Sequence, residues 1–544
     1  MTESERLLLS GDEAIALAAL HGGVSLGSGY PGTPSTEILE YFNQIGGMAE
    51  WSPNEKVALE VGLGIAYGGG RALVTMKHVG LNVAADPLFT AAYTGVSGAL
   101  VVVSADDPGM ASSQNEQDNR HYAVAAAVPM LEPSDSQEAY DFTLAAIEIS
   151  ERWRLPVLLR VTTRVCHTKA AVRPRACLPK PQPGFVRDLK SRVMIPANAR
   201  PAHPRLRRKL EELARFNENS DLNRVIPGNK GLGIITFGIT YMHVREAAPQ
   251  ASILKLGLTY PLPFKKIANF VASVERCIVV EEGDPWLADA IRAAGIQVKG
   301  KPEMYRFGEL NVARVRRILA GDVSPEPEKP PGKPPQLCDA CPYRFVFPVF
   351  RKLDLIVAGD IGCYTLGVLP PFEAMDTCVC MGSSIGVGLG LRKVLPPEQA
   401  RRVVSVIGDS TFVHSGITGI VEMAYNPPPT GHVVVILDNY TTAMTGHQEH
   451  PGTGRLLDHG PARKLVIEEL CKSAGIEKVH VCEPRAGSTE FEALLLECLN
   501  SGQTAVIIAR RPCVLLSKQL KQNQSAISVC NNATQDLCEK PIAD

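Results

Sequence analysis

Five consecutive apolar residues, Val433 to Leu437, end at Asp438-Asn439, and similar short runs recur along the chain with helix-like stretches between them. They include Ala72 to Met76, Ala99 to Ser104, Leu155 to Thr162, Gly233 to Phe237, Ile253 to Leu256, Cys277 to Glu281, Leu355 to Ala358, Val403 to Ile407 and Ala505 to Ala509. A strand that is apolar on both faces has to be covered on both. Such strands, alternating with helices, build parallel sheets sandwiched between helices. The expected fold is α/β with mainly parallel sheets. No apolar run reaches the ~18 residues that a membrane-spanning helix needs.

At 544 residues the chain is long enough for three or four domains of about 150 residues each. A Pro-rich stretch, Ser324 to Pro335, is the sharpest boundary, and a basic, Pro-containing stretch after Arg173 is a second. The division read from these is 1–175, a linker 176–230, 231–322, a linker 323–336, 337–517, and a polar tail 518–544 expected to be disordered. Lys+Arg number 56 and Asp+Glu 57, a balance that asks for neither nucleic acid nor an acidic membrane. The acidic N-terminus, Met1 to Arg6, lacks the basic start of a secretory signal, so a cytoplasmic location is expected. The 14 cysteines are then core thiols or metal ligands rather than disulfides.

The strongest chemical signal begins where the run Val403 to Ile407 enters Gly408-Asp409-Ser410. Gly416 and Gly419 open a helix, and the next apolar run delivers Asp438-Asn439 and Tyr440-Thr-Thr-Ala-Met-Thr-Gly446. Carboxylate, amide and carbonyl oxygens at the ends of neighbouring parallel strands suit Mg²⁺, which is commonly shared with a ligand's phosphates.

This segment resembles the thiamine diphosphate signature, Gly-Asp-Gly followed by a downstream Asn, with Ser410 in place of the last Gly. The resemblance implies that Asp409, Asn439 and the Thr441 carbonyl hold Mg²⁺, with Gly408, Ser410, Gly382 and Ser383 also binding the cofactor. It asks for a Glu before a Gly/Ala-rich helix to contact the aminopyrimidine. In Asn54-Glu55-Lys-Val-Ala-Leu-Glu60-Val-Gly that residue is Glu55, with Glu60 as the fallback.

Tyr30-Pro-Gly-Thr-Pro-Ser-Thr-Glu37, Lys77-His-Val-Gly-Leu-Asn82, Ser112 to His121, Gly359 to Gly367 and His414-Ser-Gly resemble the 2-oxoacid:ferredoxin oxidoreductases. The likeness is greatest to thiamine-binding large subunits of the indolepyruvate type and runs from about residue 8 to 516. It implies a pyrimidine-binding domain, a transketolase-C-like middle domain and a diphosphate-binding domain. Thr33 and Arg120 would bind the substrate carboxylate, with a turn or cap role for Thr33 and a structural salt bridge for Arg120 as the competing readings. His78, His414 and His447 could sit near the reacting centre, but each reads more readily as orienting or structural. Cys338, Cys341, Cys363 and Cys513 would ligate one [4Fe–4S] cluster, with a Zn²⁺ site or unligated thiols as the competing readings. Cys378 and Cys380 read as strand residues. The two C-x-x-C-x-x-C-x-x-x-C-P runs usual at the end of such subunits are not found, and Cys530 and Cys538 stand isolated.

The implied reaction is oxidative decarboxylation of indolepyruvate and related arylpyruvates through a thiamine-bound enamine. Coenzyme A accepts the acyl group and ferredoxin the electrons. A smaller β subunit and a second copy of the chain are the implied partners. The alternatives are a non-redox 2-oxoacid decarboxylase or carboligase, and a non-catalytic scaffold subunit.

Overall fold

The computed structural model describes residues 6–327 and 335–516. The tail 518–544, with Cys530 and Cys538, and the middle of the Pro-rich linker lie outside the described residues. The chain divides into two compact units, residues 1–329 and 330–544.

The first unit is built on a seven-stranded sheet. Its order is Leu258–Tyr260, Met130–Leu131, Val157–Thr162, Ala99–Asp106, Arg71–Lys77, Leu26–Gly29 and Ala49–Trp51. Every neighbouring pair is parallel except the first, where Leu258–Tyr260 runs antiparallel along the edge. Ala99–Asp106 is buried at every position, as a central strand covered on both faces must be. Full burial of one such Val or Leu contributes about 1.5–3 kcal/mol.

A second sheet in the same unit has the order Cys277–Val279, Asn229–Phe237, Ala251–Leu256 and Arg224–Ile226. The last strand is antiparallel to its neighbour and the others are parallel. Leu258–Tyr260 leaves this sheet to edge the first, so the segment 231–322 is stitched to the one before it. The segment 176–230 is more than a surface wrap. Its helix Pro196–Asn217 buries Ala202, Leu206, Leu210 and Leu213, and the three leucines belong to the main core of the unit.

The second unit carries a five-stranded, wholly parallel sheet of order Ile356–Ala358, Val403–Gly408, His432–Asp438, Thr504–Arg510 and Lys478–Cys482. The register pairs Gly408 with Leu437 and Asp438 with Arg510, so the three central strands end side by side. Helices Ser383–Val394 and Ile417–Tyr425 cover one face and Glu490–Asn500 the other. Cys378 and Cys380, read as strand residues from sequence, fall in an irregular exposed segment. Only Thr377 makes a bridge there, to Ala358. Among the described residues no helix is long and apolar enough to cross a membrane.

Candidate functional site

Each unit gathers one cluster of candidate residues. In the second unit the strand ends place Asp409, Asp438 and Asn439 together, all buried. Asp409 Oδ2 accepts the Tyr440 amide at 2.9 Å, and His450 Nε2 lies 3.3 Å from the same oxygen. Burial, reinforced by the neighbouring Asp409 carboxylate, pushes Asp438 up to about 6. Arg510 Nε donates to Asp438 Oδ2 at 2.7 Å and opposes that shift. Two carboxylates packed in one buried site repel each other, and a proton or a cation between them lowers that cost. Asn439 Oδ1 accepts the Thr441 amide at 3.1 Å, which ties the two expected ligands into one turn.

Ser410 Oγ bonds Thr442 Oγ1 at 2.8 Å. Gly382, with φ +87°, opens the helix Ser383–Val394, and a Cβ there would lie 2.4 Å from Ser415 Cβ. Buried Asp360 holds this helix start, accepting Gly382 N at 2.8 Å and Ser384 N at 2.9 Å. The Asp360 carboxylate thus fills the place at this helix start that backbone amides offer to an anion.

The four sequence-proposed cysteines converge in the same unit. Burial pushes Cys341 up to about 12, with Cys338, Cys363 and Cys513 all close enough to add to the effect. Burial pushes Cys363 up to about 11, with Cys513 and Cys338 again contributing. Tyr343, two residues after Cys341, accepts a hydrogen bond from Asn439 Nδ2 at 2.6 Å. Cys513 N donates to the Asn439 carbonyl at 3.1 Å. Tyr364, next to Cys363, stacks edge-on against Tyr343 with centroids 6.0 Å apart.

In the first unit, helix Glu55–Tyr67 begins at Asn54, whose side chain accepts the Val57 amide at 3.0 Å. Glu55 is thereby placed at the first helical position and is buried. It lies against Gly80, where an added Cβ would come within 2.6 Å of Glu55 Oε1. Glu60, the fallback, is exposed and paired with Lys56. Thr33 is half-buried, in a loop tied by Thr36 Oγ1, which accepts Gly32 N at 3.0 Å.

Residues 17–211 match the family description "Pyruvate flavodoxin/ferredoxin oxidoreductase, thiamine diP-bdg", and residues 360–509 match "Thiamine pyrophosphate enzyme, C-terminal TPP binding domain". The chain is 40% identical to indolepyruvate oxidoreductase subunit IorA of Archaeoglobus fulgidus, over 98% of this chain and 91% of the relative. The chain belongs to the indolepyruvate oxidoreductase IorA family. The IorA subunit of Pyrococcus abyssi is 38% identical over 94% of this chain and 86% of the relative. A solved 2-oxoglutarate:ferredoxin oxidoreductase from Magnetococcus marinus shares the fold, with TM-score 0.50 and 19% identity over 59% of this chain and 66% of that one. As an IorA-family member the chain is an oxidoreductase subunit with two thiamine diphosphate-binding domains on an α/β frame.

Within this IorA-type frame the structure corrects one expectation. Arg120 is fully buried, and all three of its guanidinium nitrogens donate to protein acceptors. Asp118 takes Nε at 2.7 Å, Glu281 takes Nη1 at 2.7 Å, and the Glu282 carbonyl takes Nη2 at 2.8 Å. The guanidinium also stacks on Phe237 and Trp286. Burial opposes ionisation of Asp118, but Arg120 and Arg160 hold it well below the usual carboxylate range. Arg120 is therefore a structural cross-link between the helix Arg120–Ala126 and the loop after Cys277–Val279, not a fork presented to substrate.

The histidines divide. His78 is buried with Nε2 3.1 Å from the Asn115 carbonyl oxygen, and His414 Nδ1 lies 2.6 Å from Ser415 Oγ. His447 sits at φ +71°, its pKa lowered by burial. The histidine actually beside the Asp409 carboxylate is His450, which sequence reasoning missed. Its one signal was a place just beyond the Thr441–Gly446 loop. Asp438 was visible next to Asn439 but was read only as part of a strand end.

Proposed function

We propose that the chain is the thiamine diphosphate-binding subunit of an enzyme that oxidatively decarboxylates indolepyruvate and related arylpyruvates with coenzyme A. The products are aryl-acetyl-CoA, CO₂ and reduced ferredoxin. When bound, thiamine diphosphate supplies an electron sink for the carbon that loses CO₂.

The chain's own groups have separate tasks. Glu55 would hold a proton for the aminopyrimidine ring nitrogen, and its packing against Gly80 limits where its carboxyl can point. Asp409, Asn439 and the Thr441 carbonyl hold Mg²⁺, whose charge balances the diphosphate and the paired Asp409 and Asp438 carboxylates. Gly408, Ser410, Gly382 and Ser383 would border the diphosphate, the last two at the start of the helix Ser383–Val394. Thr33 offers a hydroxyl to the substrate carboxylate.

Cys338, Cys341, Cys363 and Cys513 hold a [4Fe–4S] cluster. Thiols pushed up to about 12 and 11 are poor thiolates by themselves. All four would serve as thiolate ligands of the cluster, and for Cys341 and Cys363 iron binding would supply the deprotonation that burial opposes. The single observation that carries the redox reading is the bonding of Asn439. Its side chain reaches Tyr343 beside Cys341 and its carbonyl reaches Cys513, so the cysteine cluster is one residue from the Mg²⁺ ligands. A non-redox decarboxylase would have no use for that arrangement.

The remaining expectations belong to the same proposal. A second copy of the chain pairs Glu55 of one copy with Asp409 of the other, a small subunit completes the site, ferredoxin takes the electrons, and the enzyme works in the reducing cytoplasm, where thiols stay free. The direct test is iron and sulfide analysis with electron paramagnetic resonance on anaerobically prepared protein. One cluster of about four iron atoms per chain is expected, lost in Cys341→Ser. Iron-free protein that still oxidises substrate would contradict the assignment.

A further inference from the structure

The start of helix Gly11–His21 carries a buried carboxylate whose polar neighbours are the Cys166 thiol and Glu37. Asp12 is 1% exposed, and neither Oδ1 nor Oδ2 has a hydrogen-bond partner. Gly11 shows how closely the helix is seated. A Cβ there would lie 2.2 Å from the Val165 carbonyl oxygen and 3.3 Å from Cys166 Cα, so only glycine lets this end abut the short helix Thr163–His167. The helix Thr36–Gln44 also packs against Gly11–His21. Asp12, Glu37 and His167, one from each of the three helices, thereby bring ligand atoms within 4.8 Å of one another. The buried thiol of Cys166 lies beside Asp12.

An isolated carboxylate out of water is unfavourable by several kcal/mol or more unless something compensates it. A proton shared between Asp12 and Glu37 is one solution. It leaves the third member of the group unused, whereas a cation would take an oxygen from each acid and a ring nitrogen from His167 together. We propose that Asp12, Glu37 and His167 bind a divalent transition-metal cation of the Zn²⁺ class, with water at the remaining position. Mixed oxygen and nitrogen donors suit Zn²⁺ better than Mg²⁺, which prefers oxygen alone.

The site lies outside the thiamine and cysteine clusters, and its role is positioning. Glu37 closes the segment Tyr30 to Glu37. Within that segment Ser35 Oγ donates to the Gly32 carbonyl at 3.0 Å, and Thr36 Oγ1 accepts Gly32 N at 3.0 Å. A cation on Glu37 would anchor the helix start that holds the Thr33 loop.

The test adds stoichiometric ZnCl₂ to the full-length chain with its partner subunit, desalts it, and measures bound zinc by mass spectrometry together with Tm. His167 is exposed, so His167→Gln leaves the packing undisturbed. The expected result is one zinc per chain that His167→Gln loses, and a zinc-dependent rise in Tm that both His167→Gln and Asp12→Asn abolish. Cysteine-bound zinc would be common to all three proteins and cancels in the comparison. Equal zinc uptake by wild type and His167→Gln overturns the proposal. So does a wild type that takes up no zinc while Asp12→Asn raises Tm, which is the signature of a shared proton or an uncompensated carboxylate.

Discussion

Asn439 and Tyr343 are joined by a 2.6 Å hydrogen bond from the Asn439 side-chain amide to the tyrosine hydroxyl. Both side chains are buried, and the bond fixes which way the amide faces. With Nδ2 turned to Tyr343, Oδ1 faces the Thr441 amide and keeps a second lone pair for a cation. The same bond links the cysteine segment to the diphosphate end of the site.

Tyr343→Phe should therefore weaken Mg²⁺ and thiamine diphosphate binding without unfolding the unit. Losing one buried side-chain hydrogen bond that leaves its partner unsatisfied costs about 1–3 kcal/mol. The expected rise in the thiamine diphosphate Kd is roughly tenfold. A cofactor titration by calorimetry, at fixed Mg²⁺, checks it.

Glu55→Gln should lower turnover by roughly 10²- to 10⁴-fold, the usual share of a positioned acid or base, with thiamine diphosphate still bound. Gly80→Ala should act in the same direction through Glu55. The new methyl would sit 2.6 Å from Glu55 Oε1 and 2.7 Å from its Cγ, so the glutamate must move. Steady-state kinetics alongside cofactor binding separate this loss from simple unfolding.

Arg120→Met distinguishes a structural arginine from a substrate fork. Removing the guanidinium takes away the closest cation of the buried Glu281 and Asp118 carboxylates, leaving Asp118 with the more distant Arg160. Breaking a buried pair in this way destabilises by about 3–5 kcal/mol. Urea denaturation should show that loss. A raised KM with unchanged stability would restore the fork.

Glu282 gives a pH prediction. Burial pushes its carboxyl from 4.5 up to about 7, although Leu310 N donates to it at 2.9 Å. A carboxyl whose pKa rises on folding is bound more tightly to its proton in the native state. Its contribution to stability is full below about pH 4.5 and is lost as pH rises toward 7. Glu282→Gln should remove that slope and be more stable than wild type above pH 7, by about 3 kcal/mol at most. Denaturation of both proteins at about pH 5 and about pH 8 reads the difference.

Much of this architecture is legible in the residue order because the signals are local. The run Val403 to Ile407 leading into Gly408-Asp409, and Val433 to Leu437 leading into Asn439, announce both strands and the chemistry at their ends. Leu26–Gly29 escapes the same reading, since Leu-Gly-Ser-Gly has little apolar bulk and owes its strand to the neighbours on either side. Arg120 was misread for a different reason. Its partner Glu281 lies 161 residues away, and no periodicity reports a charge pair at that separation. The approach of His450 to Asp409 is likewise set by the loop after His432–Asp438, not by spacing.

The central claim is that decarboxylation on this chain is coupled to electron transfer. The most direct measurement is anaerobic viologen reduction by the chain with its small subunit, supplied with an arylpyruvate, coenzyme A, Mg²⁺ and thiamine diphosphate. Reduction that requires both coenzyme A and thiamine diphosphate, and that disappears in Cys338→Ala, is the predicted result. Release of CO₂ without viologen reduction, from protein free of iron and sulfide, would contradict it.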